Sequence, residues 1–437
     1  MDPRLARIPG DEGLPILGQT HRLLGDAERW ALEARDRFGP VYRTNVLFRR
    51  TIVFGTADAA RTVLLDRERV CSSTLGWDPY IGRFFARGLM LRDFDEHRLH
   101  RGVMRAAFRQ DALAADVEAM RPIIDRHVEA LEPGDRLDLY AFFKRLTLDI
   151  AALVFVGARL GPEADRLNRA FVDAVAAGVA PIRAPLPFTA YRRGLKGRRL
   201  LETWFAERVA ERRTSGATDL FTRLSRASDD DGARFSDRDV VDHMIFLLMA
   251  AHDTTTSTLA SMAWYLSQDA AWQDRIRSEA AALEGRFGFD DRDDLEATEH
   301  AFREAMRLHP PVPFIPRRLV ADTEIGGHPL PADTQIVVSS LLVHRDPDLW
   351  SDPHRFDPVR FGDDRAEHTA HSHAFVPFSG GAHTCIGMHF AGLMTKAILA
   401  RLLHRYRLVA EPGQQVSIAT MPIPKPRGGL PLRLQPA

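Results

Sequence analysis

Apolar residues recur three and four positions apart along most of the chain, a spacing that predicts a largely helical protein with only a few strands. The opening Ile8-Pro9-Gly10-Asp11-Glu12-Gly13-Leu14-Pro15 is turn chemistry, and the first helical stretch runs from about Ala27 to Phe38. Two runs of β-branched and aromatic residues follow, Val41 to Leu47 and Thr51 to Gly55, around a short polar corner at Arg49 and Arg50. They read as a hairpin. From there to about residue 310 the period is helical, with a Pro-rich break at Ala180 to Pro187 and an acidic loop at Ser228 to Asp231. Strand-like pieces return at Thr334 to Ser339 and in the tail from Met421 to Leu434, so a small sheet joining the hairpin to late segments is expected. The expected class is mainly α with small β-sheets. One domain is expected over residues 1–437, with a β-rich part at about 40–56 and 313–340, a helical body, and a distinctive loop at 378–387.

Bulk composition narrows the function without choosing it. At 437 residues the chain exceeds one ordinary core, yet no linker divides it, and 45% hydrophobic with 27% charged residues is enough to bury a large interior. No run of apolar residues approaches a membrane span and the first residues lack a secretory core, so a cytoplasmic protein without a membrane anchor is expected. Formal charge is zero and no nucleotide-binding motif occurs; nucleic acid is not an expected partner. Of the 59 basic residues only Lys144, Lys196, Lys396 and Lys425 are lysine, which reflects genome composition more than function. The two cysteines, Cys71 and Cys385, are far apart, which excludes a disulfide framework, a thiolate zinc site and a Cys-x-x-Cys-His attachment. His368, His371 and His373 lack a completing cysteine or spaced carboxylate and read as an exposed polar meander.

Two segments carry chemistry. Phe378-Ser379-Gly380-Gly381-Ala382-His383-Thr384-Cys385-Ile386-Gly387 places a cysteine in a glycine-rich loop just before a helix whose apolar face is Ile386, Phe390, Leu393, Met394, Ala397 and Ile398. Orphan backbone N–H groups at the helix start favour a thiolate there, so a lowered thiol pKa and a metal ligand are expected. Gly381 and Gly387 let backbone approach a flat ligand, and Phe378 can shield the sulfur edge. The competing reading is an ordinary buried cysteine. The second segment begins with a capping box, Ser236 and Asp239, and reaches Ala250-Ala251-His252-Asp253-Thr254-Thr255. Threonine hydroxyls returned to backbone carbonyls are expected to bend this helix and leave room for water, while Asp253 and Thr254 can relay protons. Its alternative is a threonine-rich stretch in a buried helix. His252 reads as a packing or hydrogen-bonding residue on a neighbouring face.

The loop resembles the haem-binding signature Phe-x-x-Gly-x-His/Arg-x-Cys-x-Gly of the cytochrome P450 superfamily, and the helix resembles that family's Ala/Gly-Gly-x-Asp/Glu-Thr-Thr motif. It departs at Ala251, where glycine is usual, which puts the size of the oxygen pocket in question. Glu304 and Arg307 match the family's Glu-x-x-Arg pair, and Arg355, in Pro353-His354-Arg355-Phe356, matches the arginine that completes a structural charge triad. The resemblance implies the cytochrome P450 fold and one haem b (iron protoporphyrin IX), with Cys385 as iron ligand and Phe378 and Gly387 beside it. It also implies His97, Arg101, Arg317 (or Arg318 in its place) and His383 as haem propionate donors. The implied reaction inserts one atom of O2 into a C–H bond or C=C, with Asp253 and Thr254 catalytic. No Gly-x-Gly-x-x-Gly stretch or appended reductase is present. Electrons are therefore expected from NAD(P)H through a separate ferredoxin or flavodoxin with its reductase, docked on a basic face carrying Arg98, Arg105 and Arg109. Family habit favours a monomer.

The candidate substrate pocket, Phe84, Phe85, Leu89, Met249, Ala250, Phe314, Ile315 and Ile423, is apolar and implies a small lipophilic substrate. Pro185 to Phe188 and Gly194 to Arg199 resemble the branch that oxidises sterols, retinoids and other isoprenoids, so a terpenoid or steroid-like molecule is preferred. A fatty acid held by Arg49 or Arg50 is the alternative. Two further classes stand beside these: a peroxide-driven haem-thiolate enzyme, and a non-catalytic haem-binding gas sensor or carrier.

Overall fold

The computed structural model describes residues 2–158, 161–178, 180 and 183–437; the expected Pro-rich break at Ala180 to Pro187 lies partly outside them, at Pro181 and Ile182. One long helix, Asp237–Gln268, organises the rest. At 1.5 Å per residue its 32 residues span about 48 Å, and it is buried on nearly every side from Val240 to Leu248 and from Thr255 to Ala263. Ser236 caps it by accepting from the Asp239 N–H at 3.1 Å, and its own hydroxyl donates to the Asp239 carboxylate at 2.6 Å. The helix runs without a break through its threonines.

Helices Leu139–Val154, Ala190–Ala206, Glu296–Leu308 and Met388–Arg405 pack on this central helix. The segment Gly381–Arg405 is long and apolar enough to cross a membrane by length and composition, but 61% of its most apolar window is buried inside the protein. Helix Ala190–Ala206 lies so close to helix Pro162–Gly178 that a Cβ on Gly197 would meet the Ala170 carbonyl oxygen at 2.3 Å. Glycine is what permits this approach.

The β side matches the expected hairpin and corrects its corner. Strands Val41–Val46 and Arg49–Phe54 pair antiparallel, and the turn is Leu47-Phe48, both at positive φ (52° and 65°), so Arg49 and Arg50 belong to the strand. The pair-to-pair register decides this: Val46 faces Arg49, which leaves only two residues for the turn. Thr51 to Phe54 then pair in parallel with Gln335 to Val338, and Gln335–Ser339 pairs antiparallel with Phe314–Leu319. Hence the early hairpin shares one sheet, six-stranded among the described residues, with the late strand Gln335–Ser339 but not with the tail, whose strands pair in two other sheets. The first long helix matches its expected span, since non-helical Asp26 (φ −145°, ψ 85°) separates residues 27–38 from a shorter helix that starts at Thr20. In the tail, only Lys425–Pro426 and Pro431–Pro436 of the expected strand are extended and paired.

Gly197→Ala is expected to destabilise the protein by about 1–3 kcal/mol, because the added methyl has no room against backbone. Thermal unfolding of the variant checks this.

Candidate active site

The loop before helix Met388–Arg405 is closed by the Cys385 N–H donating to the Phe378 carbonyl at 2.9 Å, and Phe378 sits 6.4 Å from the Phe302 ring. Gly381 has φ +60°, and a Cβ there would lie 2.1 Å from the Leu64 carbonyl oxygen. It lets the loop close on helix Ala57–Leu65. Gly387 is different: a Cβ there would stand 4.0 Å from the Cys385 sulfur, and its N–H faces that sulfur.

Cys385 is exposed, whereas Cys71 is buried with its thiol pushed up to about 12. The expected lowering of the Cys385 thiol pKa does not hold. Desolvation by the surrounding atoms raises it, and the Gly387 N–H and the Arg101 charge offset only part of that rise. One N–H and one distant cation are too little to ionise a thiol in that setting; a directly bound metal cation does so.

Beside the sulfur stand four nitrogen-bearing side chains from three separate segments. Arg101, on helix Phe94–Arg105, donates to the Thr384 carbonyl at 2.7 Å, and the rings of His97 and His383 lie 4.0 Å apart. Arg317, on strand Phe314–Leu319, is 3% exposed, and its Nη1 donates to the neighbouring Pro316 carbonyl at 2.9 Å. Among the described residues no carboxylate lies within ion-pair distance of Arg101 or Arg317. Burial followed by the Arg101 charge holds His97 down to about 4, and burial followed by Arg317 holds His383 down to about 2. His97 Nε2 is buried without a hydrogen-bond partner. Two guanidiniums that make no ion pair and an orphaned imidazole nitrogen fit a dianionic group, such as the two propionates of haem, and the thiol of the adjoining loop fits its iron.

Glu304 is wholly buried, and Arg307 grips it bidentately, Nε to Oε2 at 2.7 Å and Nη2 to Oε1 at 2.9 Å. The third member is Arg360, not Arg355. Arg360 Nε meets Glu304 Oε1 at 3.1 Å and is itself buried, while the Arg355 side chain is exposed and only its carbonyl takes part, accepting from Arg307 at 3.1 Å. The reason is the short helical turn Pro358–Phe361, which swings Arg360 inward, whereas Arg355 precedes it on the surface. Arg307 also donates to the His344 and Pro353 carbonyls, both at 2.7 Å, so the cluster pins the segment leading to Cys385. Glu367, in the stretch read as a polar meander, answers Arg360 at 2.5 Å.

On the central helix, Met249, Ala250, Ala251, Asp253 and Thr254 form the one half-exposed turn in an otherwise buried run. Thr254 and Thr255 return their hydroxyls to the Ala250 and Ala251 carbonyls at 2.7 and 3.1 Å. Asp253 does not touch the Thr254 hydroxyl. Its Oδ1 lies 3.0 Å from His252 Nδ1 and 3.6 Å from Lys144 Nζ, and although burial raises its pKa, those two partners bring it below the ordinary carboxylate value. Of the pocket candidates, Met249, Ala250, Phe314 and Ile423 are half-buried with free surface. Phe84, Phe85, Leu89 and Ile315 are instead core residues at 0, 1, 6 and 4% exposure; the Phe84 ring, for example, is fixed edge-on against Tyr191 at 5.3 Å. Sequence reasoning missed Arg360 and Lys144, while His252 packs on Phe171 and meets the Lys144 carbonyl, as its reading as a packing or hydrogen-bonding residue expects. Arg360 lies in the right segment, five residues past the arginine chosen, but nothing in a linear sequence says which of two arginines turns inward.

An exposed cysteine at a helix start, in a loop bonded to Arg101, which like Arg317 has no carboxylate within ion-pair distance among the described residues, fits the class of haem-thiolate proteins. The comparisons place the chain within it. Residues 8–428 match the family model described as Cytochrome P450. The chain is 41% identical to cytochrome P450 136 of Mycobacterium tuberculosis over 99% of its length and 89% of that relative, and 33% identical to cyclooctat-9-en-7-ol 5-monooxygenase of Streptomyces melanosporofaciens over 73% of its length and 72% of that enzyme. A solved cyanobacterial cytochrome P450 with retinoic acid bound superposes with a TM-score of 0.89 at 28% identity, covering 98% of this chain and 99% of that one. The chain belongs to the cytochrome P450 family. It has that family's mainly helical fold and is a haem-iron monooxygenase.

Arg360→Ala is expected to cost about 3–5 kcal/mol by stranding buried Glu304, whereas Arg355→Ala stays within about 0.5 kcal/mol. Denaturant unfolding of the two variants side by side checks the reassignment.

Proposed function

We propose that this monooxygenase inserts one oxygen atom into a terpenoid or steroid-like substrate, drawing electrons from NAD(P)H through a separate ferredoxin or flavodoxin and its reductase. The observation that carries the substrate class is the likeness over nearly the whole chain to an enzyme holding an isoprenoid acid, retinoic acid. The relative named for cyclooctat-9-en-7-ol, a terpenoid alcohol, supports it. So does the apolar character of the half-buried Met249, Ala250, Phe314 and Ile423. The fatty-acid alternative loses one of its two anchors, since Arg50 is already paired with Glu12 at 2.9 Å.

Cys385 holds the iron, and the Phe378 carbonyl fixes the cysteine backbone while the Gly387 N–H shares the sulfur's negative charge. His97, Arg101, Arg317 and His383 take the two propionates, which supplies the acceptor that His97 Nε2 lacks. Haem, when bound, supplies the activation of O2 and the oxidising equivalent that the polypeptide cannot. Thr254, its hydroxyl anchored on the Ala250 carbonyl, offers a fixed oxygen through which a proton can be passed. Asp253, ionised because His252 and Lys144 outweigh its burial, accepts protons from the Lys144 side of the protein. The exposed Arg98, Arg105 and Arg109 present positive charge to an acidic electron carrier.

Cys385→Ser is expected to abolish the long-wavelength band of the reduced, carbon monoxide-treated protein; a retained band rules out the assigned ligand. Thr254→Ala is expected to leave electron consumption in place while product falls and peroxide rises, and unchanged coupling removes Thr254 from the mechanism. Titrating diterpenoids, steroids and fatty acids while following the haem spin shift tests the substrate class, with a response confined to fatty acids as the contrary result. Turnover with NADPH and no added redox protein overturns the partner assignment.

A further inference from the structure

Helix Thr20–Phe38 and strand Val41–Val46 border a cavity of about 110 Å³ that shares no residue with the cysteine loop or the Asp253 turn. Trp30 and Phe38 give it apolar walls, while Tyr42 and Thr44, which alternate on the inward face of the strand, bring hydroxyls. Trp30, Tyr42 and Thr44 are 3, 1 and 2% exposed, and neither Tyr42 Oη nor Thr44 Oγ1 has a hydrogen-bond partner. Buried hydroxyls are nearly always paired, so two orphans on one cavity wall point to a partner from outside the chain. Burial pushes the Tyr42 phenol far up, so it keeps its proton and can donate it to an acceptor.

The charges around the cavity are answered except one. Asp11 accepts from the Gln19 amide at 2.9 Å and the Gly13 N–H at 2.8 Å, and Glu33 is held by Arg22 and by Arg29, the latter at 2.7 Å. Arg43 reaches Glu12 at 3.5 Å. Arg37 is exposed, lies over the Phe38 ring at 4.8 Å, and meets no carboxylate among the described residues. One cation and two hydroxyls are thus available as donors beside two aromatic rings. Water answers the hydroxyls but not the rings, and a hydrocarbon answers the rings but not the hydroxyls. An aromatic carboxylate answers both, and its size suits the space, since cavities of about 150 Å³ take up benzene.

Trp30 joins this cavity to the substrate side. Its ring meets Tyr42 edge-on at 6.3 Å and Phe314 at 6.3 Å, and Phe314 is one of the half-buried apolar residues of the proposed substrate wall. We propose that this cavity is an effector site for a small aromatic carboxylate of benzoate size. The carboxylate takes the Arg37 guanidinium and the Tyr42 and Thr44 hydroxyls, the ring packs on Trp30 and Phe38, and the occupant holds Trp30 against Phe314. Effector and substrate then strengthen each other's binding by the same factor. The site stands independently of the substrate reading, whereas its effect through Phe314 rests on that reading.

The test uses the haem-loaded full chain labelled with 5-fluorotryptophan, as its reduced carbon monoxide complex, with the Trp30 fluorine signal identified by its loss in Trp30→Phe. Benzoate is expected to shift that signal saturably and benzamide to leave it in place. Arg37→Gln and Tyr42→Phe are each expected to weaken benzoate binding roughly tenfold. Arg37 is on the surface, so its variant decides the matter even if Tyr42→Phe does not fold. The absence of a saturable shift, or benzoate binding unchanged in Arg37→Gln, overturns the site. In the oxidised protein, saturating benzoate is expected to lower the midpoint of a terpenoid-induced haem spin shift about fivefold, and to lose that effect in Arg37→Gln. An unchanged midpoint overturns the effector role, and a midpoint raised equally in both proteins puts benzoate in the haem pocket and overturns the proposal. If no terpenoid shifts the haem spin, the substrate reading fails instead, and the fluorine signal still decides the site.

Discussion

Everything near the cysteine depends on one buried carboxylate. Glu304 accepts from Arg307 twice, from Arg360 and from the Asp357 N–H at 2.8 Å, so its desolvation is met by a complete set of donors. Two buried guanidiniums around one carboxylate would leave excess positive charge; Glu367 on Arg360 balances it. The cluster ties helix Glu296–Leu308 to the irregular segment after Trp350. A stretch with almost no regular backbone pairing thereby gains a fixed path to the Cys385 loop.

That loop is electrostatically incomplete by itself. The thiol is raised by the desolvating atoms packed around its sulfur, and the nearby imidazoles are held neutral by burial and by the charges of Arg101 and Arg317, which make no ion pair among the described residues. Each departure has the sign that a dianion and a metal cation reverse, the first by pairing the arginines and the second by ionising the sulfur.

On the opposite side, the central helix is buried where it serves as a spine and half-exposed only over the turn that carries Asp253 and Thr254. Helix Leu139–Val154 is locked to it by a buried contact between the Thr147 and Thr256 hydroxyls at 2.8 Å, one turn from where the Lys144 carbonyl meets His252. The acidic residue thus faces a neighbouring helix and solvent, and the alcohol is held by its own helix. The adjacent residues of the motif point their polar atoms to different partners.

What the sequence determined alone is what neighbouring residues decide among themselves. Helical periods, the Ser236 cap, the two hairpin strands and the motifs around Cys385 and Asp253 are all legible because their meaning lies within about ten residues of chain. Only the tertiary structure decided that Arg360 and not Arg355 reaches Glu304, that the thiol is raised and not lowered, that Phe84 and Phe85 fill core, and that His252 lies between two acceptors. The physical reason is common to all four. Burial and charge pairing are set by groups far apart in sequence, and the free energy of a buried polar atom depends on partners that a local pattern does not name.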